Sequence, residues 1–413
     1  MDEIINKFNN IKITEKSQLV DKYLIPQELE KKKNAEVSTP YKLRQEMIDT
    51  IPVEFWSKKQ KVFEPCSGKG GFLIDIIDKF LKHSTLTYKE IVEDCLYFSD
   101  INPTNIYINK LLLDPENKYK LNYNEGNTLE LDIKVKWNLE GFDAVIGNPP
   151  YQEVTENGIS KGGTNLYTKF INYSFINLNI NGYLLFINPI SFIGPSINKQ
   201  SGNDILHNIF LKYDIIYVNI NECKKYFNIG STFMYYTLHK NISNIKTDII
   251  SEFEKNIVKS KINLKSYFKL KFLPIHITID TLNLIIEIGS NQNKLEINRC
   301  RKLDSSNKKT KLHLSLIKTD KFKYITYHTK TKTYYSDIRL DLFDTKKIIL
   351  NMSGYLNPRI VNEGNLTESK FYIVSNNDIE LLKLLKQDNV EYYLKICKYS
   401  GFNSRKVIEY ITY

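Results

Sequence analysis

A chain of 413 residues with a net charge of +11 is long enough for two domains, each with its own hydrophobic core. No apolar run approaches the roughly 20 residues that a helix needs to cross a bilayer, and the first residues, MDEIINKFNN, lack the pattern of a signal peptide, so we expect a soluble protein that does not bind a membrane. The five cysteines are scattered, with no C-x-x-C pair and no histidine at metal-ligand spacing, which favours reduced thiols in the cytoplasm and argues against a metal site.

In chain order, a polar, lysine-rich stretch of about 35 residues comes first, and we expect one loosely held helix there. From Val62 onward, short apolar runs alternate with helical patterns, such as the apolar spacing in residues 72–81. Later strands are predicted at 182–189, 214–220 and 232–240. Strands that alternate with helices predict an α/β fold with a mostly parallel sheet.

The alternation fades after residue 243, and we therefore place a domain boundary near residue 245. An α/β domain would occupy residues 1–245, and a basic, mixed α+β domain would occupy residues 246–413. From Ser251 onward there are 29 Lys and Arg against 17 Asp and Glu, whereas the preceding part is nearly neutral. An AT-rich genome would scatter lysines along the whole chain, so the asymmetry favours a nucleic-acid partner.

A glycine-rich turn follows the first predicted strand. The stretch EPCSGKGGF occupies residues 64–72, with glycines at positions 68, 70 and 71. Glycine lets the backbone approach a ligand closely, and the first amides of the following helix are unpaired. Taken alone, such a turn is at least as often a simple tight turn, and it differs from the G-x-x-x-x-G-K-[ST] phosphate loop.

Two further predicted strands end in polar residues. Asp100 ends the second strand, where a carboxylate can accept hydrogen bonds from both hydroxyls of a ribose, although it could equally cap the next helix. Asn127 follows the third strand, where its amide could meet an adenine ring. Because the carboxyl ends of parallel strands meet at one edge of a sheet, we expect both residues to lie beside the glycine-rich turn.

The fourth predicted strand runs into FDAVIGNPPY, residues 142–151. Two consecutive prolines cannot pair in a sheet, so the chain must turn out of the core at Asn148. This stretch resembles the D/N-P-P-Y/F motif of S-adenosylmethionine-dependent amino-methyltransferases. With EPCSGKGGF before it and a basic region after it, the order of motifs resembles the gamma class of DNA adenine-N6 methyltransferases, often found in restriction-modification systems. The resemblance covers about residues 37–240.

The resemblance implies a Rossmann-like fold with a seven-stranded, mostly parallel sheet and S-adenosylmethionine as the cofactor. It implies a cofactor site built from Thr39, Glu64, Cys66, Gly68, Gly70, Phe72, Asp100, Ile101, Asn127, Thr128 and Asn148. Two of these residues depart from the family pattern, because Glu64 and Asn127 stand where many members have aspartate.

The same resemblance implies a catalytic site for a flipped base, built from Asn148, Pro149, Pro150, Tyr151 and Phe227. The Asn148 side-chain oxygen and the Pro149 carbonyl would accept the amine hydrogens, and Tyr151 would stack on the base. Phe227 matches the position of an aromatic that stacks on the other face. Tyr226 is an alternative for that role, and a core position explains Phe227 nearly as well.

The basic domain would recognise the target. It carries lysines interleaved with tyrosines: Lys308, Lys309, Lys311, Lys321, Lys323, Lys330, Lys332, Tyr324, Tyr327, Tyr334 and Tyr335. We expect phosphate contacts from some lysines and base contacts from a few polar or aromatic residues. The expected substrate is double-stranded DNA bound by a monomer, and the family allows for a separate restriction endonuclease as a partner.

Other substrates remain open on the same scaffold. Cytosine N4, an RNA base and a protein glutamine are also amines that N-P-P-Y enzymes methylate, although the basic domain disfavours the glutamine. An inactive, nucleic-acid-binding relative is a hypothesis of a different class, and the intact N-P-P-Y motif argues against it.

Overall fold

The computed structural model describes residues 11–24, 37–154, 160–195, 204–226 and 232–413. The chain divides into two compact units, of which the first ends at Lys269 and the second contains Leu270–Tyr413. The first unit is built on one large sheet flanked by helices, and the second combines short strands with short helices.

One large sheet organises the first unit. Its strands, with those of a small hairpin, are β1 (Val62–Glu64), β2 (Leu96–Asp100), β3 (Asn122–Glu125), β4 (Phe142–Gly147), β5 (Gln152–Val154), β6 (Ser160–Asn165), β7 (Leu178–Pro189), β8 (Asp214–Ile220), β9 (Phe233–His239), β10 (Thr247–Phe253) and β11 (Asn256–Ile262). The helices are α1 (Ile13–Tyr23), α2 (Tyr41–Ile48), α3 (Val53–Trp56), α4 (Gly71–His83), α5 (Tyr88–Glu90), α6 (Pro103–Leu113), α7 (Ile133–Trp137) and α8 (Leu166–Ile176).

The strand order in the large sheet is β11-β10-β8-β9-β7-β4-β1-β2-β3. The first four strands and β7 run parallel to one another, and β9 is antiparallel to both β7 and β8. The first unit therefore has an α/β fold with a mostly parallel sheet, as the alternation of strands and helices predicted.

The sheet is wider than the seven strands predicted from the sequence. Within the described residues it has nine strands, because β10 pairs in parallel with β8 and β11 pairs antiparallel with β10. These two strands follow residue 245, where the sequence placed the domain boundary, so the sheet continues past that point. Backbone pairing at an edge strand adds hydrogen bonds without requiring a strongly apolar sequence, and β11 is largely exposed.

The central strands are buried on both faces. All residues of β1 and β2 are buried, and β4 is buried at every position except Asp143. Near-continuous apolar runs are what a parallel sheet covered by helices requires. This burial fixes the position of the polar residue at which each strand ends.

Helix α4 covers this sheet with an apolar face. Its buried residues are Phe72, Leu73, Ile74, Asp75, Ile76, Ile77, Asp78 and Phe80. Burial of one such large apolar side chain stabilises a fold by about 1.5–3 kcal/mol. Leu81 lies at the margin of the apolar face and remains 38% exposed.

The helix near the amino terminus is packed, whereas the sequence predicted a loosely held one. In α1, Val20 is buried with Ile74 of α4 and with Ile108 and Leu112 of α6. The packing of α1 could not be predicted from its polar composition, because a helix needs only one apolar face to pack against its neighbours.

The second unit contains two four-stranded sheets. Its strands are β12 (Asn298–Arg299), β13 (Leu314–Ser315), β14 (Tyr324–Tyr327), β15 (Thr333–Ser336), β16 (Lys347–Asn351), β17 (Arg359–Val361), β18 (Asn365–Leu366) and β19 (Lys370–Ile373). Its helices are α9 (Ile279–Ile288), α10 (Lys308–Lys311), α11 (Asp378–Leu384), α12 (Asp388–Ile396) and α13 (Arg405–Ile408). The sheet orders are β12-β19-β16-β17 and β13-β15-β14-β18. The seven lysines singled out above are all exposed, whereas Tyr334 is buried and the other three tyrosines are half-buried.

Candidate functional site

Four parallel strands place polar residues at one edge of the large sheet. Glu64 is the last residue of β1, Asp100 is the last residue of β2, Asn127 follows β3, and Asn148 follows β4 directly. These four residues line one cavity of about 440 Å³. The strand-end arrangement therefore brings together the polar groups that the sequence singled out.

The cavity includes most of the predicted site residues. The predicted residues that line it are Thr39, Glu64, Cys66, Gly68, Phe72, Asp100, Ile101, Asn127, Thr128, Asn148 and Pro150. Gly70, Pro149 and Tyr151 do not line it, and Phe227 lies outside the described residues. The cavity is also lined by residues outside the predicted cofactor and catalytic sets: Val20, Asp21, Val37, Ser38, Arg44, Pro65, Ser67, Lys69, Gly71, Asn105, Leu129, Gln152, Leu166, Lys169 and Phe170.

The glycine-rich turn needs its glycines for different reasons. Gly68 and Gly70 have positive φ angles of 50° and 83°, which side chains with a Cβ rarely adopt. A Cβ at Gly70 would also lie 2.4 Å from Asn109 Oδ1. Gly70 therefore shapes the turn from behind, without facing the cavity.

Asp100 is buried and organises the floor of the cavity. Its Oδ2 accepts from the Gly68 amide at 2.8 Å, and its Oδ1 accepts from the Asn102 amide at 2.8 Å and from Asn105 Nδ2 at 3.2 Å. Burial raises the pKa of Asp100, and these donors oppose the rise. A carboxylate offers about four acceptor positions, and the Gly68 amide fills one on Oδ2, so within the described residues a second position on Oδ2 can accept from a ligand.

Glu64 presents an unsatisfied carboxyl oxygen. Its Oε2 is buried and has no hydrogen-bond partner among the described residues. Burial raises the pKa of this carboxyl well above its usual value, while Arg44 opposes the rise. A buried polar atom without a partner is costly unless a ligand or water satisfies it.

Asn127 and Thr128 are already engaged within the protein. Asn127 Oδ1 accepts from the Leu129 amide at 3.1 Å, and Nδ2 donates to Glu130 Oε1 at 2.7 Å. The Thr128 hydroxyl lies 2.6 Å from the Pro65 carbonyl oxygen, to which it donates. Both side chains shape the cavity wall, where Ile101 offers a 63% exposed apolar surface.

The Asn148 side chain is held at one end by Thr39 and at the other by Tyr151 of the N-P-P-Y turn. Asn148 Nδ2 donates to Thr39 Oγ1 across 3.1 Å, and its Oδ1 accepts from the Tyr151 hydroxyl at 2.7 Å. The Tyr151 ring is half-buried and packs against Phe233, with ring centroids 5.1 Å apart and planes tilted by 48°. One Tyr151 face is therefore occupied by the protein, and its hydroxyl is bound to Asn148.

The alternative aromatic at position 226 is also engaged. The Tyr226 hydroxyl donates to Glu46, and Lys225 Nζ lies 4.9 Å from the centre of the Tyr226 ring. Its ring packs partly against the core of the first unit.

Cys66, which lines the cavity, is a half-buried thiol. Burial raises the pKa of this thiol well above its usual value, which makes it a poor nucleophile.

Arg44 is the most heavily bonded side chain that the sequence reasoning missed. Its Nε donates to Asp75 Oδ2 at 2.6 Å, and its Nη1 donates to Asp21 Oδ1 at 2.7 Å and to the Thr39 carbonyl oxygen. Its Nη2 donates to Ser17 Oγ at 2.8 Å. Burial would lower the pKa of Arg44, but the two carboxylates raise it above its usual value, so this buried guanidinium stays charged.

Residues 72–221 match a family model described as Eco57I restriction-modification methylase. The matched residues include Asp100, Asn127 and the N-P-P-Y turn. No curated protein sequence matches the chain.

Several solved structures are similar to this chain. The type IIL restriction-modification enzyme MmeI, in complex with DNA, matches with a TM-score of 0.57 and 10% identity, over 99% of this chain and 67% of that chain. The DrdV–DNA complex matches with a TM-score of 0.53 and 12% identity, over 87% and 51%. A type I restriction-modification system methyltransferase subunit from Streptococcus thermophilus matches with a TM-score of 0.41 and 15% identity, over 57% and 53%.

The chain therefore spans about half the length of the DrdV chain and of the Streptococcus thermophilus subunit. Within the described residues, no helix is long and apolar enough to span a membrane. The same residues contain no group of three or more His, Cys, Asp or Glu side chains that could hold a metal ion.

Proposed function

We propose that this chain is an S-adenosylmethionine-dependent methyltransferase that acts on N6 of adenine in double-stranded DNA. The observation that carries the proposal is the shared cavity, in which Asn148 of the N-P-P-Y turn meets the unsatisfied Glu64 and the strand-end Asp100. An amide acceptor beside a cofactor-sized cavity suits methyl transfer to an amine.

The polar groups of the cavity fit S-adenosylmethionine, which supplies an electrophilic sulfonium methyl group when bound. Glu64 Oε2 would accept from the ammonium group of its methionine end, which would satisfy a buried oxygen. Among the described residues the Thr39 hydroxyl accepts from Asn148 and donates to none, so its proton can be offered to the methionine carboxylate. Asp100 Oδ2 would accept from a ribose hydroxyl, and Ile101 would lie against the adenine ring.

Asn148 and Pro149 would activate the target amine. The lone pair of an exocyclic amine is delocalised into the ring, which makes the nitrogen a poor nucleophile. If Asn148 Oδ1 and the Pro149 carbonyl accept its two hydrogens, the nitrogen becomes more tetrahedral and its lone pair turns toward the methyl group. Pro149 is buried and its φ is fixed, so its carbonyl is held rigidly. Positioning and preorganised acceptors then lower the barrier.

A base inside a duplex cannot reach a cavity of this kind, so we infer base flipping. Unstacking costs a few kcal/mol and is offset by contacts in the pocket. The basic second unit supports a DNA substrate, since the seven of its lysines that interleave with tyrosines are exposed to solvent. The MmeI and DrdV structures are complexes with DNA, which also supports DNA as substrate. We expect a monomer on DNA that works beside a separate restriction endonuclease.

The decisive experiment is modification-sensitive sequencing of DNA from cells that express the protein. We expect N6-methyladenine at one short sequence motif, and none in cells that express Asn148→Ala. Calorimetry of purified Asn148→Ala should still detect cofactor binding, because Glu64, Asp100 and Ile101 are unchanged. If the wild-type sample contains N4-methylcytosine instead, the target is cytosine and not adenine. Near-normal methylation by Asn148→Ala would refute the mechanism.

A further inference from the structure

The Asn148 amide can accept from a target amine only when its oxygen is turned toward the base. Its Nδ2 donates to the Val37 carbonyl oxygen across 3.2 Å and to Thr39 Oγ1 across 3.1 Å, while its Oδ1 accepts from the Tyr151 hydroxyl at 2.7 Å. A carbonyl oxygen can only accept a hydrogen bond. The Val37 oxygen therefore requires the nitrogen, and not the oxygen, on that side of the amide.

The segment that receives this nitrogen is itself fixed by Arg44. The Arg44 guanidinium donates to the Thr39 carbonyl oxygen and to Asp75 of α4, and all three residues are buried. A Cβ at Gly71 would lie 2.6 Å from the guanidinium carbon, so the glycine there leaves room for Arg44. A continuous path of hydrogen bonds thus connects α4 to Asn148.

We propose that Val37, Thr39 and Arg44 are positioning residues for methyl transfer. The Val37 carbonyl and the Thr39 hydroxyl hold the Asn148 amide with its oxygen toward the amine, and Arg44 holds the segment that contains them. The inference rests on the proposed function and adds a requirement to it: residue 148 must donate on one side and accept on the other. Asparagine meets this requirement, whereas an ionised aspartate would set a carboxylate oxygen against the Val37 carbonyl.

The Asn148→Asp variant tests this requirement through its pH profile. A protonated aspartic acid carries one donor and one acceptor, as asparagine does. Relative to wild type, we expect kcat of Asn148→Asp to be at least about tenfold lower at about pH 8 and to recover as the pH falls toward about 5.5. The charged side chains that line the same cavity are Asp21, Arg44, Glu64, Lys69, Asp100 and Lys169. They are common to both proteins, so the ratio of kcat values at each pH isolates residue 148.

A conservative pair at position 39 tests the hydroxyl. Thr39→Val removes the acceptor at nearly constant shape, and Thr39→Ser retains it. We expect Thr39→Val to lower kcat for DNA methylation by about tenfold, and Thr39→Ser to stay within about twofold of wild type. Because Thr39 is also a proposed cofactor contact, kcat is measured at saturating S-adenosylmethionine and cofactor affinity is measured separately by calorimetry.

The inference is overturned if Asn148→Asp is as active as wild type at every pH, since a carboxylate is the stronger acceptor. Equal kcat values for Thr39→Val and Thr39→Ser would overturn the role of the hydroxyl. Both outcomes require an active wild-type enzyme. If the wild type methylates no DNA, the proposed function fails instead, so the two failures are distinguishable.

Discussion

Arg44 Nε lies 2.6 Å from Asp75 Oδ2, and this buried ion pair joins α2 to α4. Helix α2 follows the segment that contacts Asn148, and α4 follows the glycine-rich turn. The Ser17 hydroxyl of α1 also donates to Asp75. Three helices around the cavity therefore depend on the same pair of charges.

We predict that Arg44→Met destabilises the first unit by about 3 kcal/mol at neutral pH, because it leaves the Asp75 carboxylate buried without its cation. Burial raises the pKa of Asp75 to about 6 although Arg44 lowers it, so loss of Arg44 raises this pKa further. A raised folded-state pKa contributes stability that is present at low pH and is lost as the pH rises through it. The cost of Arg44→Met should therefore be smaller at about pH 5 than at about pH 8.

Urea unfolding at the two pH values measures this cost. The matched control combines Arg44→Met with Asp75→Leu, which removes both charges from the buried site. We expect the double variant to be more stable than Arg44→Met at about pH 8, since replacing a buried pair by apolar residues is often nearly neutral. A double variant that is less stable by the full sum of both single losses would show that the pair is not coupled.

Gly71→Ala tests the contact between the glycine-rich turn and Arg44. Alanine normally stabilises a helix by roughly 0.5–1 kcal/mol relative to glycine. Here its Cβ would lie 2.6–2.9 Å from the buried guanidinium of Arg44, so we expect a net loss of about 1–3 kcal/mol. Gly401→Ala, where no atom lies within 4 Å of the new Cβ, should change stability by less than about 0.5 kcal/mol. Thermal unfolding of both variants checks this, and a stabilised Gly71→Ala would contradict the close approach of Arg44 to the glycine.

The sequence could predict where the polar strand ends lie but not what holds them. Glu64 and Asp100 end recognisable buried strands and Asn148 follows one, and the parallel sheet then places all three along one edge. The contact of Thr39 with Asn148 spans 109 positions, and that of Arg44 with Asp75 spans 31. Such pairs depend on tertiary packing, which local periodicity does not encode.

The same limit explains the edge of the sheet. Strands β10 and β11 are polar enough to suggest the start of another domain. They belong to the large sheet because β10 pairs with β8 and β11 pairs with β10. A truncated protein meant to retain the first unit should therefore end near Lys269. The sequence does contain a pattern that points to Arg44. This arginine lies between Leu43 and Met47, at helical spacing from the buried residues of α2, which predicts a buried and therefore paired charge.

Glu64 should make cofactor binding depend on pH. Burial raises the pKa of Glu64, whereas an ammonium group in contact with Oε2 favours the ionised carboxylate. Binding of S-adenosylmethionine should therefore release a proton, and affinity should increase as the pH rises through the raised pKa. Calorimetry in buffers of different ionisation enthalpy measures the proton release. Glu64→Gln should abolish the release and weaken binding by about tenfold.

Methylthioadenosine, which lacks the ammonium group, provides the control for Glu64. It should bind with no release of protons from this residue, while its contacts with Asp100 and Ile101 are retained. Proton release of equal size with both ligands would show that the ammonium group does not contact Glu64, and the methionine end would then have to be placed elsewhere in the cavity.

The exposed lysines of the second unit should act on DNA through phosphate charge. The logarithm of DNA affinity falls as the logarithm of salt concentration rises, and each lysine that neutralises a phosphate makes this slope steeper by about one. Replacing Lys330 and Lys332 with glutamine should therefore reduce this slope by about two and weaken binding to all sequences alike. Lys259→Gln, at an exposed position of β11 in the first unit, removes one positive charge and should leave the slope unchanged. If Lys259→Gln reduces the salt slope by as much per charge as the double variant does, net charge explains both results. The lysines of the second unit would then have no specific role in binding phosphate.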